Sequence, residues 1–184
     1  MAKDYENLVE CAEAFKNNLE HFNMKDALEN GHSEATVIWK EKDIYCRARV
    51  DFLPESPKGI PIDLKFTSLS AAPLAFSRTI QKEYATQAAF YLRGLRALGE
   101  KPKGFRFIVT ETYAPYCTSV FECAPSLMEY ADALIEEGIQ RWRKAIKTNK
   151  LPSYPNTVCS VEATPWMMAE AEEKRFIYKE GFAA

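Results

Sequence analysis

The chain has 184 residues, with 24 Lys and Arg against 26 Asp and Glu, a formal charge of −2. With 47% hydrophobic and 27% charged residues, its composition is that of a folded domain with a substantial core, not of a disordered chain. The longest uncharged stretch, Phe66 to Ser77, has twelve residues, short of the roughly 20 that a membrane helix needs. The N-terminal run MAKDYENLVECAEAF carries acids where a signal peptide needs a basic and then an apolar segment. Taken alone, the near-neutral balance argues against a nucleic-acid partner. Cys11, Cys46, Cys117, Cys123 and Cys159 include no CxxC pair, and His21 and His32 lie at no zinc-finger spacing. Free thiols in a reducing cytoplasm are the simplest account.

Apolar residues at Leu8, Ala12, Phe15, Leu19 and Phe22 predict a helix over residues 4–29, stopped by Asn30-Gly31. Ala35 to Lys40 predicts a strand, Lys42-Asp43 a hairpin turn, and Ile44 to Phe52 the return strand. The turn-forming LPESPKG segment leads to a third strand, Ile60 to Phe66. A long helix from Pro73 to Leu98 follows, with Ile80, Tyr84, Ala88, Tyr91 and Leu95 on one side, ended by Gly99. Phe105–Glu111 and Cys117–Glu122 predict two more strands, and Leu127 to Ile146 marks a helix over 126–148, capped at Pro125-Ser126. Residues 1–150 are expected to form one domain with a motif core over 31–123, and residues 151–184, proline-rich and then acidic, a C-terminal extension. The order α-β-β-β-α-β-β-α predicts an α/β (mixed α+β) fold: a meander, a helical crossover to a parallel strand, and a mixed sheet flanked by helices.

Asp51 and Asp63 stand near the facing ends of the second and third strands, and period two puts Asp63 and Lys65 on one face. Two carboxylates and an ammonium then converge. Hard divalent cations take such oxygen ligands together with phosphate and water. They acidify bound water and offset charge on an attacked phosphate. The Leu64 carbonyl can add a ligand oxygen, and Lys65 can orient the water or neutralise developing charge. An Asp-x-Lys pair alone recurs by chance as an ordinary salt bridge. Its place among Ile60, Ile62, Leu64 and Phe66, in a core strand where charge is costly, demands a reason. Gln87 and Tyr91, four apart on the next helix, share a face that can hydrogen-bond a phosphate or a base edge. Packing of Tyr84 and Tyr91 as core aromatics is an equal alternative.

These residues together resemble the PD-(D/E)xK nuclease superfamily, and within it the RecE-type exonuclease VIII branch of phages and prophages. The resemblance rests on His32-Ser33-Glu34 with Ile38-Trp39, CRARVDF with Asp51, IDLKFT with Asp63 and Lys65, and YATQAAFY with Gln87 and Tyr91. It runs from Gly31 to Trp142, in order. The chain is also similar to RecB and Cas4 nuclease domains, without their cluster-binding cysteines. The resemblance implies a restriction-endonuclease-like α-β-β-β-α-β core. It also implies a magnesium- or manganese-dependent exodeoxyribonuclease that degrades one strand of linear duplex DNA from its 5′ end. The 3′ single-stranded tail would pass to a single-strand annealing protein in phage recombination. Homo-oligomeric rings and a cytoplasmic location in a bacterial host are implied with it. Asp51 and Asp63 become metal ligands and Lys65 the catalytic lysine, with Gln87 and Tyr91 in support. Glu34 is either an accessory acid near the metal or a structural strand-edge residue. Relatives carry a further active-site residue, often a histidine, on a helix upstream of the first strand. Neither His21 nor His32 stands in that context, so a shortened relative or a fragment is expected.

Charge is unevenly spread. From Lys3 to Glu34 eight acids face three lysines, whereas between Arg78 and Arg106 seven basic residues face two acids. The basic stretch, Arg78 and Lys82 included, coincides with the Gln-Tyr helix and can track phosphates, in which case binding weakens with salt. A solvated helix face is the plainer reading of the charge alone. Thr67 and Ser68 can offer hydroxyls to a phosphate. Three alternatives remain: a RecB- or Cas4-like repair nuclease, a non-catalytic DNA-binding or assembly module, and an α/β domain without DNA function.

Overall fold

The computed structural model describes residues 2–151 and 153–181. The elements are α1 (Ala2–His21), β1 (Gly31–Glu41), β2 (Ile44–Pro54), β3 (Ile62–Thr67), α2 (Pro73–Thr79), a π-helical turn (Ile80–Tyr84), α3 (Ala85–Ala97), β4 (Arg106–Glu111), β5 (Thr118–Glu122), α4 (Pro125–Thr148) and α5 (Pro165–Gly181). The chain divides into two units, Met1–Lys150 and Leu151–Ala184. In the second, α5 exposes Trp166, Phe176 and Tyr178 and carries a Lys174–Glu170 ion pair of 2.6 Å. Among the described residues no helix is long and apolar enough to cross a membrane.

The first unit is the expected mixed sheet flanked by helices, in strand order β1-β2-β3-β4-β5. The β1–β2 hairpin turns at Lys42, which takes φ 57°, and pairs from Gly31↔Pro54 to Glu41↔Ile44. β2 meets β3 antiparallel at the single register pair Phe52↔Ile62. The helical crossover makes β3 and β4 parallel, from Ile62↔Arg106 to Thr67↔Glu111, and β5 closes the sheet antiparallel.

One sheet face is covered by α2, the π turn and α3. There Phe76, Ile80, Ala88 and Leu92 pack on Phe105, Phe107 and Val109, and Leu95 packs on Val37, Trp39, Cys46 and Ala48. The small residues Ala85 and Ala89 let α4 lie close against α3 through Ala131, Ile135 and Ile139. On the other face Phe15, Leu19 and Met24 cover Phe52, Ile62 and Ile108. Each fully buried side chain of this size contributes about 1.5–3 kcal/mol. Gly94 is required by packing, since a Cβ there would stand 2.7 Å from ring atoms of Trp39. Gly99, at φ 94°, ends α3: its amide and that of Glu100 donate to the carbonyls of Arg96 and Leu95.

Several boundaries differ from the periodic pattern. The first helix stops at His21 rather than 29 because Asn23 adopts φ 53° and the Met24 amide donates to the Leu19 carbonyl, folding Met24 back onto Leu19. Phe22 continues the pattern but lies exposed. The helix predicted over Pro73–Leu98 is interrupted by the π turn, whose wider winding rotates the residues that follow. Ser126 does not cap α4. The N-cap position is Ala124, without a side-chain bond, and Pro125 starts the helix where its missing N–H costs nothing.

Candidate active site

Asp63 is the centre of the site. It sits on β3 with 1% of its surface exposed. The Lys65 ammonium donates to its Oδ1, and Gln87 Nε2 donates to its Oδ2 at 2.5 Å. Strand periodicity puts the lysine on the same side as the aspartate, and the π turn followed by α3 delivers the glutamine from above. Burial pushes the Asp63 carboxyl above its ordinary pKa, and the charge of Asp51 adds to this, against the opposing pull of Lys65 and Gln87.

Lys65 is held against a wall of rings. Its Nζ lies 4.8 Å from the centre of the Tyr84 ring and 5.8 Å from that of Phe107. Tyr84 in turn stacks on Phe76, 6.3 Å between centroids. A cation over such faces is attracted by the ring quadrupole.

Asp51 reaches the same place by a change in the facing of β2. Cys46 and Ala48 pack beneath α3, yet Phe52, of the same parity, packs beneath α1, and Leu53 returns to the α3 side. The strand therefore turns over between Ala48 and Phe52. Opposite Asp51, between the register pairs Ser33↔Phe52 and Ala35↔Val50, Glu34 takes φ 55°. Such a backbone costs a non-glycine residue on the order of 1–2 kcal/mol, and strain of this kind concentrates at functional sites. Asp51 Oδ2 accepts the Leu64 amide at 2.8 Å, a bond that a ladder carbonyl would otherwise take. The splayed β2–β3 pair, with its one register pair, leaves the gap in which the two carboxylates sit.

The remaining predicted residues are placed as follows. The Glu34 carboxylate turns away to Arg49 at 2.8 Å, with its side chain 58% exposed. Tyr91 shares the helix with Gln87, but its ring stands edge-on to Phe105, 5.9 Å away. The Thr67 hydroxyl accepts the Leu69 amide at 3.0 Å, and Ser68, Arg78 and Lys82 are exposed. His21 and His32 are exposed too. Of the basic stretch, Arg93 is committed to Glu41, Asp132 and Glu136, and Arg106 to Glu122.

One residue escaped the reading of the sequence. Glu111, 6% exposed at the end of β4, accepts the Ala71 amide at 2.8 Å. It thereby pins the loop that leaves the Asp63–Lys65 strand and enters α2. An acid closing the apolar run FRFIVTE is the same signal that singles out Asp63.

The donors suit a hard divalent cation. Asp51 and Asp63 can supply carboxylate oxygens and Leu64 a main-chain carbonyl, and the buried Asp63 carboxyl, pushed above its ordinary pKa by that burial, calls for positive charge. Among the described residues no group of three His, Cys, Asp or Glu side chains gathers, so Glu34 does not join the pair. Water and a phosphate oxygen would have to complete the shell.

Over residues 1–164 the sequence matches the family described as PDDEXK-like domain of unknown function (DUF3799). The chain belongs to this family. Its fold is similar to that of a solved protein from Eubacterium rectale named "Putative exonuclease", at TM-score 0.60 and 16% identity. The superposition covers 84% of this PDDEXK-like chain and 62% of that one, so the chain spans less than two thirds of the solved protein. At that identity the likeness is one of fold. Comparison with curated proteins gives no match.

Proposed function

We propose that this PDDEXK-like domain is a metal-dependent exodeoxyribonuclease acting on linear duplex DNA. The observation that carries the reading is the convergence of Asp51, Asp63, Lys65 and Gln87 at the splayed β2–β3 junction. Asp51, Asp63 and the Leu64 carbonyl would hold magnesium or manganese, which acidifies bound water and offsets charge on the scissile phosphate. Gln87 fixes the Asp63 carboxylate by its hydrogen bond. Lys65, backed by Tyr84 and Phe107, carries a fixed positive charge to the attacked phosphate and orients the attacking water. Glu111 holds the following loop, where Thr67 and Ser68 stand beside the DNA backbone, and Arg78 and Lys82 face it from α2 and the π turn. Tyr91 supports the helix through Phe105 rather than reaching the phosphate.

The polarity, 5′ to 3′, with a 3′ tail passed to a single-strand annealing protein in phage recombination, comes from the resemblance to RecE-type exonucleases alone. So do the homo-oligomeric assembly and the bacterial cytoplasm as its setting. Duplex labelled separately at its 5′ and 3′ ends tests polarity. With magnesium, early release of the 5′ label and persistence of the 3′ label is expected. Cleavage of supercoiled circular DNA at a rate equal to that of linear DNA would make the enzyme an endonuclease instead.

A further inference from the structure

Among the described residues of the first unit, none packs on the outer face of the β1–β2 hairpin. Its inner face, Val37, Trp39, Cys46 and Ala48, is buried beneath α3, whereas α1 covers the sheet from Phe52 onward to β5. The outer face presents the cross-strand pairs Thr36↔Arg49, Ile38↔Arg47 and Lys40↔Tyr45, all exposed. Tyr45 is 76% exposed and Ile38 57%. Lys40 Nζ stands 5.4 Å from the Tyr45 ring centre.

The charges on the two sides of this ribbon are sorted. The acids near its tip are drawn inward: Glu41 binds Arg93 and the Trp39 indole, and Asp43 binds Arg143. On the outer face three cations, Lys40, Arg47 and Arg49, stand against one carboxylate, Glu34, which pairs with Arg49. Lys40 and Arg47 form no ion pair among the described residues. Tyr45, Arg47 and Arg49 repeat every second residue, about 6.7 Å apart, and end two residues before Asp51.

We propose that this outer face is a platform for single-stranded DNA. The backbone phosphates would run along Lys40, Arg47 and Arg49, with one base stacked on Tyr45. A row of cations with a flat exposed ring among them is how sequence-tolerant single-strand sites are built. Like-charged faces of two copies of the chain would repel. The strip ends where β2 turns over, and beyond it Asp51 opens on the opposite, α3 side of the sheet. It would therefore hold single strand outside the carboxylate site, and the choice of DNA rests on the nuclease reading.

The test is fluorescence anisotropy of the full chain with a fluorescein-labelled oligo(dT), in EDTA, over a series of salt concentrations. Lys40→Ala/Arg47→Ala should weaken binding at least tenfold and lower the salt slope by about 1.4, roughly 0.7 for each phosphate left without its cation. Tyr45→Ala should weaken binding by roughly tenfold or more with little change in slope. Circular dichroism of each variant confirms the fold. Wild-type affinity and slope in both variants would overturn the proposal. So would a wild-type chain that does not bind oligo(dT), or one that binds it no better than it binds poly-glutamate. Cleavage of duplex in magnesium is scored separately: binding by the ribbon without cleavage sinks the nuclease reading alone.

Discussion

Gln87 and Asp63, twenty-four residues apart in sequence, are joined by a 2.5 Å hydrogen bond from the Gln87 amide to Asp63 Oδ2. Lys65 occupies the other oxygen, so a buried carboxylate is held from its own strand and from the crossover helix at once. Gln87→Ala should therefore leave Asp63 fixed on one side only. We expect at least a tenfold loss in nuclease turnover, as for other partners that orient metal ligands, with the fold preserved. Turnover at saturating DNA together with a thermal melt separates the two effects. Unchanged turnover would remove Gln87 from the site.

Tyr84 acts on Lys65 through its ring rather than its hydroxyl. Tyr84→Phe should keep most activity. Tyr84→Leu should lose roughly five- to thirtyfold, since a partly buried cation–π interaction is worth about 1–2 kcal/mol. Equal loss in both variants, measured as kcat on linear duplex, would shift the role to the phenol oxygen.

Gly94 admits Trp39 to the surface of α3. Gly94→Ala should destabilise the domain by about 1–3 kcal/mol through overpacking, although alanine is the better helix former. Urea unfolding followed by tryptophan fluorescence measures this. A stabilised variant would contradict the tight packing.

Glu136 ties α4 to the hairpin through Lys42 and to α3 through Arg93. With Gln140, these hold its carboxyl at a pKa of about 2, below the ordinary 4.5. A depressed folded-state value means stability that is present above about pH 4.5 and lost as the pH falls toward 2. Glu136→Gln should flatten the acid limb of a plot of melting temperature against pH in that window. An unaltered limb would show that the pair contributes nothing.

Much of the fold and of the site is legible in the residues. Alternation marks the strands of the sheet, and turn chemistry at Lys42-Asp43 and LPESPKG joins three of them. An Asp-x-Lys in a core strand marks the site. What escapes is what local periodicity does not encode. The π turn that carries Tyr84 is invisible to a 3.6-residue pattern. Asp51 is on the correct face only because β2 turns over opposite Glu34, and Glu34 stands out in the sequence for its carboxylate when its backbone is the irregular part. Arg93 counts as a free cation in the sequence but is spent on three carboxylates from β1 and α4.

The central claim is that the pair of aspartates and Lys65 hydrolyse DNA from an end. The most direct measurement is release of nucleotides from end-labelled linear duplex, with magnesium and with EDTA, by the wild type, Asp63→Ala and Lys65→Ala. The account predicts magnesium-dependent release by the wild type, and a loss of at least a hundredfold in each variant with its circular dichroism unchanged. Full activity in both variants, or release undiminished in EDTA, would contradict it.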